Sequence, residues 1–228
     1  MEKNVLHYFV DTNSSQGFVS FWESNFGKLE KVVKLDGYPD LLVTQLVSQA
    51  CAQALGCEQE VELVHNCLDN SLQGIILPGQ KTGLLNLPAY GDESYSLRLA
   101  EDENLSKVRE RVQRAYGCFG QALKIHDDWE RIFISSMDFE AMDELAEETA
   151  EKLFGGQKTD RAGSCADRFF GAATVNGSYD YIPNITQEIP KRYFLKGRPG
   201  TGKSTFLKML ARAAQDRGYR TEAYHCAF

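Results

Sequence analysis

A chain that repeats its own sequence must give both copies much the same local structure, and this chain repeats itself at a constant offset of 160 residues. Phe9 matches Phe169, Gly17 matches Gly177 and Lys31 matches Lys191. Leu35, Gly37 and Pro39 match Leu195, Gly197 and Pro199, and Ala54, Glu62 and His65 match Ala214, Glu222 and His225. The identities fall on turn residues and at the ends of apolar runs, where elements start and stop. The duplication predicts one strand–helix–strand pattern, used twice.

The first copy reads as that pattern. VVKLDG at Val32–Gly37 has the character of a short buried strand, Leu41–Leu55 of a helix ending near Gly56, and Glu62–His65 of a strand. Gly74–Leu87 reads as two strands around a Pro-Gly turn. Between the copies, 101–156 is helical. Leu105, Val108, Val112, Ala115, Phe119, Leu123 and His126 recur at steps of three and four, as do Phe139, Met142, Leu145, Thr149 and Leu153. Asp138 is placed to cap the second helix, and Gly155-Gly156 to end it. Seven acids between Asp138 and Glu151 mark its solvated face, and the His126–Trp129 segment reads as a helix end. Residues 157–167 form a polar linker. FFGAAT, Asn176-Gly177 and SYDYI then predict a hairpin. KRYFLKG predicts a buried strand, Thr205–Gln215 an amphipathic helix, and Thr221–Tyr224 a last strand. The expected domains are 1–100, a helical segment 101–156, the linker 157–167, and 168–228.

The chemistry-bearing motif lies between that predicted strand and helix. Gly197, Arg198, Pro199, Gly200, Thr201, Gly202, Lys203, Ser204 and Thr205 fit the phosphate-loop pattern GxxxxGK[ST]. Glycines let backbone N–H groups approach the oxygens of a polyphosphate, and the helix N-terminus adds unpaired donors and a positive dipole end. Lys203 is placed for the β- and γ-phosphates, Ser204 to ligate Mg²⁺, and Thr205 to reach the α-phosphate.

The first copy has lost these features. Gly37-Tyr38-Pro39-Asp40-Leu41-Leu42-Val43-Thr44 keeps the first glycine and the proline. It places Val43 where the lysine belongs, Leu42 where a glycine belongs, and an anion, Asp40, in the loop. A β-branched apolar residue cannot neutralise phosphate, and a carboxylate repels it. The strand that would carry a metal-holding acid ends in Asn86, and the second copy stops before reaching its own equivalent. His65 and His225 recur with Cys67 and Cys226 nearby, but two ligands do not make a zinc site; strand-end histidines with structural hydrogen bonds are expected.

Composition narrows the partners. The net charge of −7 combines a basic tail, Lys191–Phe228 with nine Lys/Arg against two acids, and an acidic remainder. A phosphate-binding segment accounts for the local cations, which disfavours nucleic acid as partner. No apolar run suits a membrane span, and the first ten residues lack a signal peptide's layout. Six scattered cysteines without a CxxC pair read as reduced thiols, hence the cytoplasm, and leave the Asn184-Ile185-Thr186 sequon idle.

The segments Ala122–Glu140, Arg168–Thr186, Lys191–Leu210 and Tyr224–Cys226 resemble a family of uncharacterised bacterial ATP-binding proteins with two tandem P-loop domains. The resemblance implies a P-loop NTPase-like α/β fold, an α/β/α parallel sheet, with ATP and Mg²⁺ as ligands. Family members usually continue past the position of Phe228 and carry a phosphate loop in the first domain too. This chain therefore reads as a C-terminally truncated fragment: a degenerate first copy, a helical insertion and an incomplete second copy. ATP binding through 197–205 is the expectation, with ATPase activity if a longer protein supplies the metal-holding acid. The alternatives are a small-molecule or nucleotide kinase, or a non-catalytic nucleotide-sensing or scaffold module with a protein partner or self-association.

Overall fold

The computed structural model describes residues 4–14, 17–35, 38–86, 103–155, 163–174, 176–187, 189, 191–198 and 200–226. The expectations for 157–162, Pro199, Asp36 and Gly37 lie outside these. The chain is α/β and divides into two compact units. One comprises Met1–Gly120, Asp167–Glu188 and Tyr224–Phe228; the other comprises Gln121–Ala166 and Ile189–Ala223. No helix among the described residues is long and apolar enough to cross a membrane.

The duplication is visible element by element. β1 (Val5–Phe9), the hairpin β2 (Asp11–Ser14) and β3 (Gly17–Ser20), and the short helix α1 (Trp22–Phe26) open the first copy. At the same offset of 160 come β8 (Cys165–Phe169), β9 (Gly171–Thr174), β10 (Gly177–Asp180) and the short helix α5 (Ile182–Ile185). The long helix α2 (Asp40–Gly56) and strand β5 (Val61–His65) correspond to α6 (Lys203–Asp216) and β11 (Thr221–His225). β4 (Lys31–Lys34), β6 (Leu72–Leu77) and β7 (Thr82–Leu85) complete the first copy, and α3 (Glu103–Ile134) and α4 (Phe139–Phe154) lie between the copies.

In the first unit the sheet order is β11-β8-β1-β5-β6-β7-β4, with β8 and β11 represented by Asp167–Phe169 and Tyr224–His225. β1 pairs parallel with β5, and β4 with β7, while β5-β6 and β6-β7 are antiparallel. The sheet is therefore mixed, because the Pro78–Gln80 turn is too short for the crossover a parallel pair requires. Val43, Val47 and Ala54 of α2 pack on one face with Val5, Val61, Leu63 and Ile75. Phe26 of α1 covers the other face with Tyr8, Val10, Val64, Ile76 and Leu85. The alternation along β5, with Val61 and Leu63 to one side and Val64 to the other, is what a strand covered on both faces requires.

The two copies meet as antiparallel neighbours in register at equivalent residues, Phe9 with Phe169, so a local pseudo-twofold axis passes between them. Each copy then reaches across it. Ser24 Oγ of α1 accepts the Asp167 N–H at 3.1 Å, and Asn184 of α5, the residue equivalent to Ser24, accepts the His7 N–H at 2.9 Å. Phe21 stacks on Phe169 at 4.7 Å, and its equivalent Tyr181 lies 5.5 Å from Phe9. Arg168 is the exception to the symmetry. Its guanidinium lies 4.1 Å over the ring of Tyr8, its own equivalent, and donates to Glu62 Oε2 at 2.7 Å and to Asn25 Oδ1 at 2.8 Å. Tyr8 donates its hydroxyl to the same Glu62 oxygen at 2.8 Å. Burial, and next the charge of Glu62, hold that phenol well above its ordinary pKa, so it stays a donor.

In the second unit, Ala146 and Ala150 on α4 and Ala213 and Ala214 on α6 are buried, and these small side chains allow the two helices to lie close. Arg217 donates to Glu147 at 3.0 Å and to the Ala213 carbonyl at 3.0 Å, which ties the end of α6 to α4. The Asp138 cap of α4 is present, its carboxylate accepting the Ala141 N–H at 3.0 Å.

Three expectations need correction. His126–Trp129 lies within α3, not at its end, since the apolar spacing continues to Phe133. β4 is not buried: it is the sheet's edge strand, with Val33 39% exposed and a lysine at each end. Lys191–Gly197 forms no strand; Tyr193 and Phe194 are 72% and 91% exposed. The reason is pairing. β4 is held by β7, whereas Lys191–Gly197 pairs with no strand among the described residues.

Because Arg168 is the buried counter-charge of Glu62, Arg168→Ala should lower unfolding stability by about 3–5 kcal/mol, as removal of one partner of a buried pair does. Adding Glu62→Gln should recover part of that loss. Urea midpoints of the parent and the two variants test both statements, and a shift under about 1 kcal/mol in Arg168→Ala would contradict the first.

Candidate phosphate-binding site

The loop before α6 is shaped by glycine. Gly200 and Gly202 take φ of +76° and +74°, the left-handed region that L side chains avoid. A Cβ on Gly197 would stand 2.7 Å from Thr201 Oγ1, so a side chain there would fill the concavity of the turn. Thr201 donates its hydroxyl to the Arg198 carbonyl at 2.8 Å and braces the loop from within. Gly202 is the N-cap of α6, and the first intrahelical bond runs from Phe206 N–H to the Gly202 carbonyl at 2.9 Å. By helix geometry, the N–H groups of Lys203, Ser204 and Thr205 precede that first bond and point out of the N-terminus.

Lys203, the first residue of the helix, turns its side chain back over the loop. Its ammonium donates to the carbonyls of Arg198 at 2.7 Å and Gly197 at 3.0 Å. The Lys203 ammonium and the helix N–H donors therefore converge on one concavity, and a chemically matching ligand is an anion with several oxygens. Ser204 and Thr205 are solvent-exposed in the first turn of α6, where their hydroxyls are free to meet a ligand from solvent. Gly197, Arg198, Gly200, Thr201, Gly202, Lys203, Ser204 and Thr205 are thus brought together; Pro199 lies outside the described residues.

The reverse side of the loop is packed, which the sequence pattern does not reveal. The Gly200 Cα abuts the Phe133 ring, where a Cβ would stand 2.8 Å from Cγ. Gly202 abuts Met137 and Met142, whose methyl carbons would lie 2.5 and 2.7 Å from a Cβ. The end of α3 and the start of α4 support the loop through these three side chains. Nothing in the sequence marks this packing, because the left-handed φ of Gly200 and Gly202 already accounts for both glycines and names no partner some 60 residues away.

In the first copy the same position is closed. Val43, equivalent to Lys203, is 1% exposed and packs in the core on α2. Asp40 supplies a carboxylate in the first turn of α2, a site favourable to an anion, and accepts from Asn86 Nδ2 at 3.4 Å. An internal anion stands where a ligand anion would. The Asn86 N–H continues to the Gln73 carbonyl at 2.9 Å, and Gln73 Nε2 reaches Asp11 Oδ2 at 3.5 Å.

Asp11 is fully buried at the start of β2, and its Oδ1 and Gln73 Oε1 both lack a hydrogen-bond partner. Two buried acceptors are satisfied at once if the carboxyl carries a proton and donates it to the amide oxygen. Burial pushes the Asp11 pKa up to about 6, against smaller opposing effects of Cys67 and Gln73. An acid at the end of an apolar run was visible in LHYFVD, but its isolation from any motif hid it.

The repeated histidines are structural. His65 Nδ1 lies 3.1 Å from the Asn70 carbonyl, which can only accept, so Nδ1 carries the proton and Nε2 accepts from His7 Nδ1 at 2.9 Å. Burial lowers its pKa to about 4, keeping it neutral. His225 Nε2 meets Asp167 Oδ1 at 2.9 Å, the pseudo-equivalent pair. Among the described residues, His126, Asp127 and Glu130 form a potential ligand group, but all three are exposed on α3 and nothing else converges on them.

Two outcomes follow. Val43→Lys should not create a second phosphate site and should destabilise the fold, because it buries an ammonium in an apolar core; titration with ATP and a melting curve check both. Asp11→Asn mimics the neutral acid. The raised native pKa means that the parent loses stability as pH rises from about 4 through about 6, a loss of about 3 kcal/mol by neutral pH. The variant should therefore be more stable than the parent at pH 7.5, with the difference shrinking towards pH 4; a pH-independent difference would refute this.

Comparison with known proteins adds no identification: no family model, no curated protein and no solved structure matches this chain.

Proposed function

We propose that residues 197–205 bind the phosphates of a nucleoside triphosphate, ATP with Mg²⁺, in the manner of a P-loop. One observation carries the reading. A glycine-shaped loop at the N-terminus of α6 holds the Lys203 ammonium over its own concavity, on the Gly197 and Arg198 carbonyls. Those two carbonyls are weak partners for an ammonium compared with a polyphosphate, so a ligand would take the lysine over. The backbone N–H groups of Lys203, Ser204 and Thr205 would hold phosphate oxygens, and the Ser204 hydroxyl would be a ligand of Mg²⁺. The metal would supply charge neutralisation between the phosphates.

The reading gives the two copies different tasks. The first copy, with Asp40 in its loop and Val43 buried, is structural; the second is the ligand-binding one. Absence of disulfides among the six cysteines accords with a reducing compartment, the cytoplasm.

Calorimetric titration of the full chain with MgATP is the test. Lys203→Ala should weaken binding tenfold or more, about 1.4 kcal/mol, without moving the melting temperature, since the Lys203 side chain is tied only to loop carbonyls. Equal affinity of variant and parent would overturn the proposal.

A further inference from the structure

The corner between α3 and α4 holds two thioethers against the ligand loop, and phosphate binding makes no use of their sulfur. The chain has four methionines, Met1, Met137, Met142 and Met209. Met137 lies in the turn just before the Asp138 cap, and Met142 in the first turn of α4. Backbone bonds fix both. The Met137 N–H donates to the Ile134 carbonyl and the Met142 N–H to the Asp138 carbonyl, each at 3.2 Å. From there the two side chains converge on one backbone position, Gly202, where a Cβ would meet both methyl carbons and stand 3.5 Å from the Met142 sulfur. Gly202 is also the position of the loop with most to lose. It is the N-cap of α6 at φ +74°, its carbonyl accepts the first intrahelical bond from Phe206, and a glycine has the widest backbone freedom once released. Both methionines are only partly buried, so the contact is within reach of small solutes.

We propose that Met137 and Met142 form an oxidation-sensitive clamp on the loop: a peroxide converts them to sulfoxides, and the loop around Gly202 then loses its order. The step is a two-electron oxidation of sulfur. A sulfur lone pair attacks one oxygen of hydrogen peroxide, the O–O bond breaks, an S–O bond forms, and the second oxygen leaves as water with both protons. The product carries a polar oxygen where methyl groups meet a glycine backbone and no donor is offered to it. The Met142 sulfur is itself in contact range of Gly202, so its oxygen enters the packing directly. A long, unbranched side chain relieves this by swinging towards water, which leaves Gly202 unsupported and lets the first turn of α6 fray. The consequence for binding rests on the reading of 197–205 as a nucleotide site. With that turn frayed, the N–H groups of Lys203, Ser204 and Thr205 no longer converge, and affinity for MgATP falls. A thiol-dependent sulfoxide reductase takes the oxygen off again as water and restores the clamp. Packing alone asks only for apolar side chains here; the sulfur is what makes the contact reversible.

The double variant Met137→Leu, Met142→Leu supplies the control. It keeps apolar side chains of similar volume and all six cysteines, so any effect of thiol oxidation appears in it as in the parent. Both full chains are treated with hydrogen peroxide and then dithiothreitol, and compared by peptide mass spectrometry, by amide hydrogen exchange across 200–206 and by calorimetric titration with MgATP. In the parent, sulfoxides should appear at both positions, exchange across 200–206 should speed up, and MgATP affinity should fall by about tenfold. Methionine sulfoxide reductase should reverse all three. The variant should keep its exchange and its affinity after peroxide. Unchanged exchange in a parent oxidised at both methionines would overturn the proposal. So would an equal response of the variant, or Met137 and Met142 staying reduced while Met209 is oxidised. Should the variant not fold, the reductase arm decides, and exchange that stays fast after reduction counts against the clamp. Exchange is read without nucleotide, so a parent that binds no MgATP refutes the nucleotide reading and leaves this test intact.

Discussion

The first unit depends on the meeting of two equivalent strands, β1 and β8, across a pseudo-twofold axis, with one ion pair buried beside it. A strand edge left open exposes N–H and C=O groups that must find partners. Here each copy's edge is closed by the other copy's, at Phe9 and Phe169. Crossing of α1 and α5 then adds hydrogen bonds from each copy to the other's strand, through Ser24 and Asn184. Symmetry alone would put Tyr8 opposite a second tyrosine. Arg168 stands there instead, and Glu62 answers its charge. A buried pair of this kind contributes little net stability but tolerates no alternative register, because a slip would strand both charges in an apolar face.

Divergence of the copies follows from what each does with the start of its long helix. Both have a helix N-terminus with unpaired donors, an intrinsic anion site. The first copy satisfies it with Asp40 and turns Val43 into core. The second keeps glycines and folds Lys203 back over the loop, its ammonium on the Gly197 and Arg198 carbonyls. The same element thus starts differently in the two copies, with an acid and a buried valine in one and glycines and a lysine in the other, and the difference comes down to a few side chains.

Much of this was legible in the chain. The offset of 160 predicted equivalent elements, and β1, β2, β3 and β5 recur at β8, β9, β10 and β11 with identical bounds. The Asn176-Gly177 turn, the Asp138 cap and the α2 helix were also readable, because local chemistry determines turns and caps. The glycines at 200 and 202 were legible too, since they answer to backbone conformation. What misled was strand character: YFL at 193–195 is apolar and β-prone, yet it stays unpaired and exposed. A strand needs a neighbour, and propensity cannot report whether one is there.

By itself the sequence determined most of the elements, their duplication and where glycines are needed before α6, because periodicity, turn chemistry and glycine placement act over a few residues. Only the tertiary structure decided that the two copies join antiparallel at equivalent strands, that Arg168 is the counter-charge of Glu62, and that Phe133, Met137 and Met142 support the loop. It also decided that Asp11 is sealed from water opposite Gln73. Each of these is a contact between residues far apart in the chain. Such contacts are set by which faces must be buried together and which charges must be paired once they are, and neither demand leaves a local mark on the sequence.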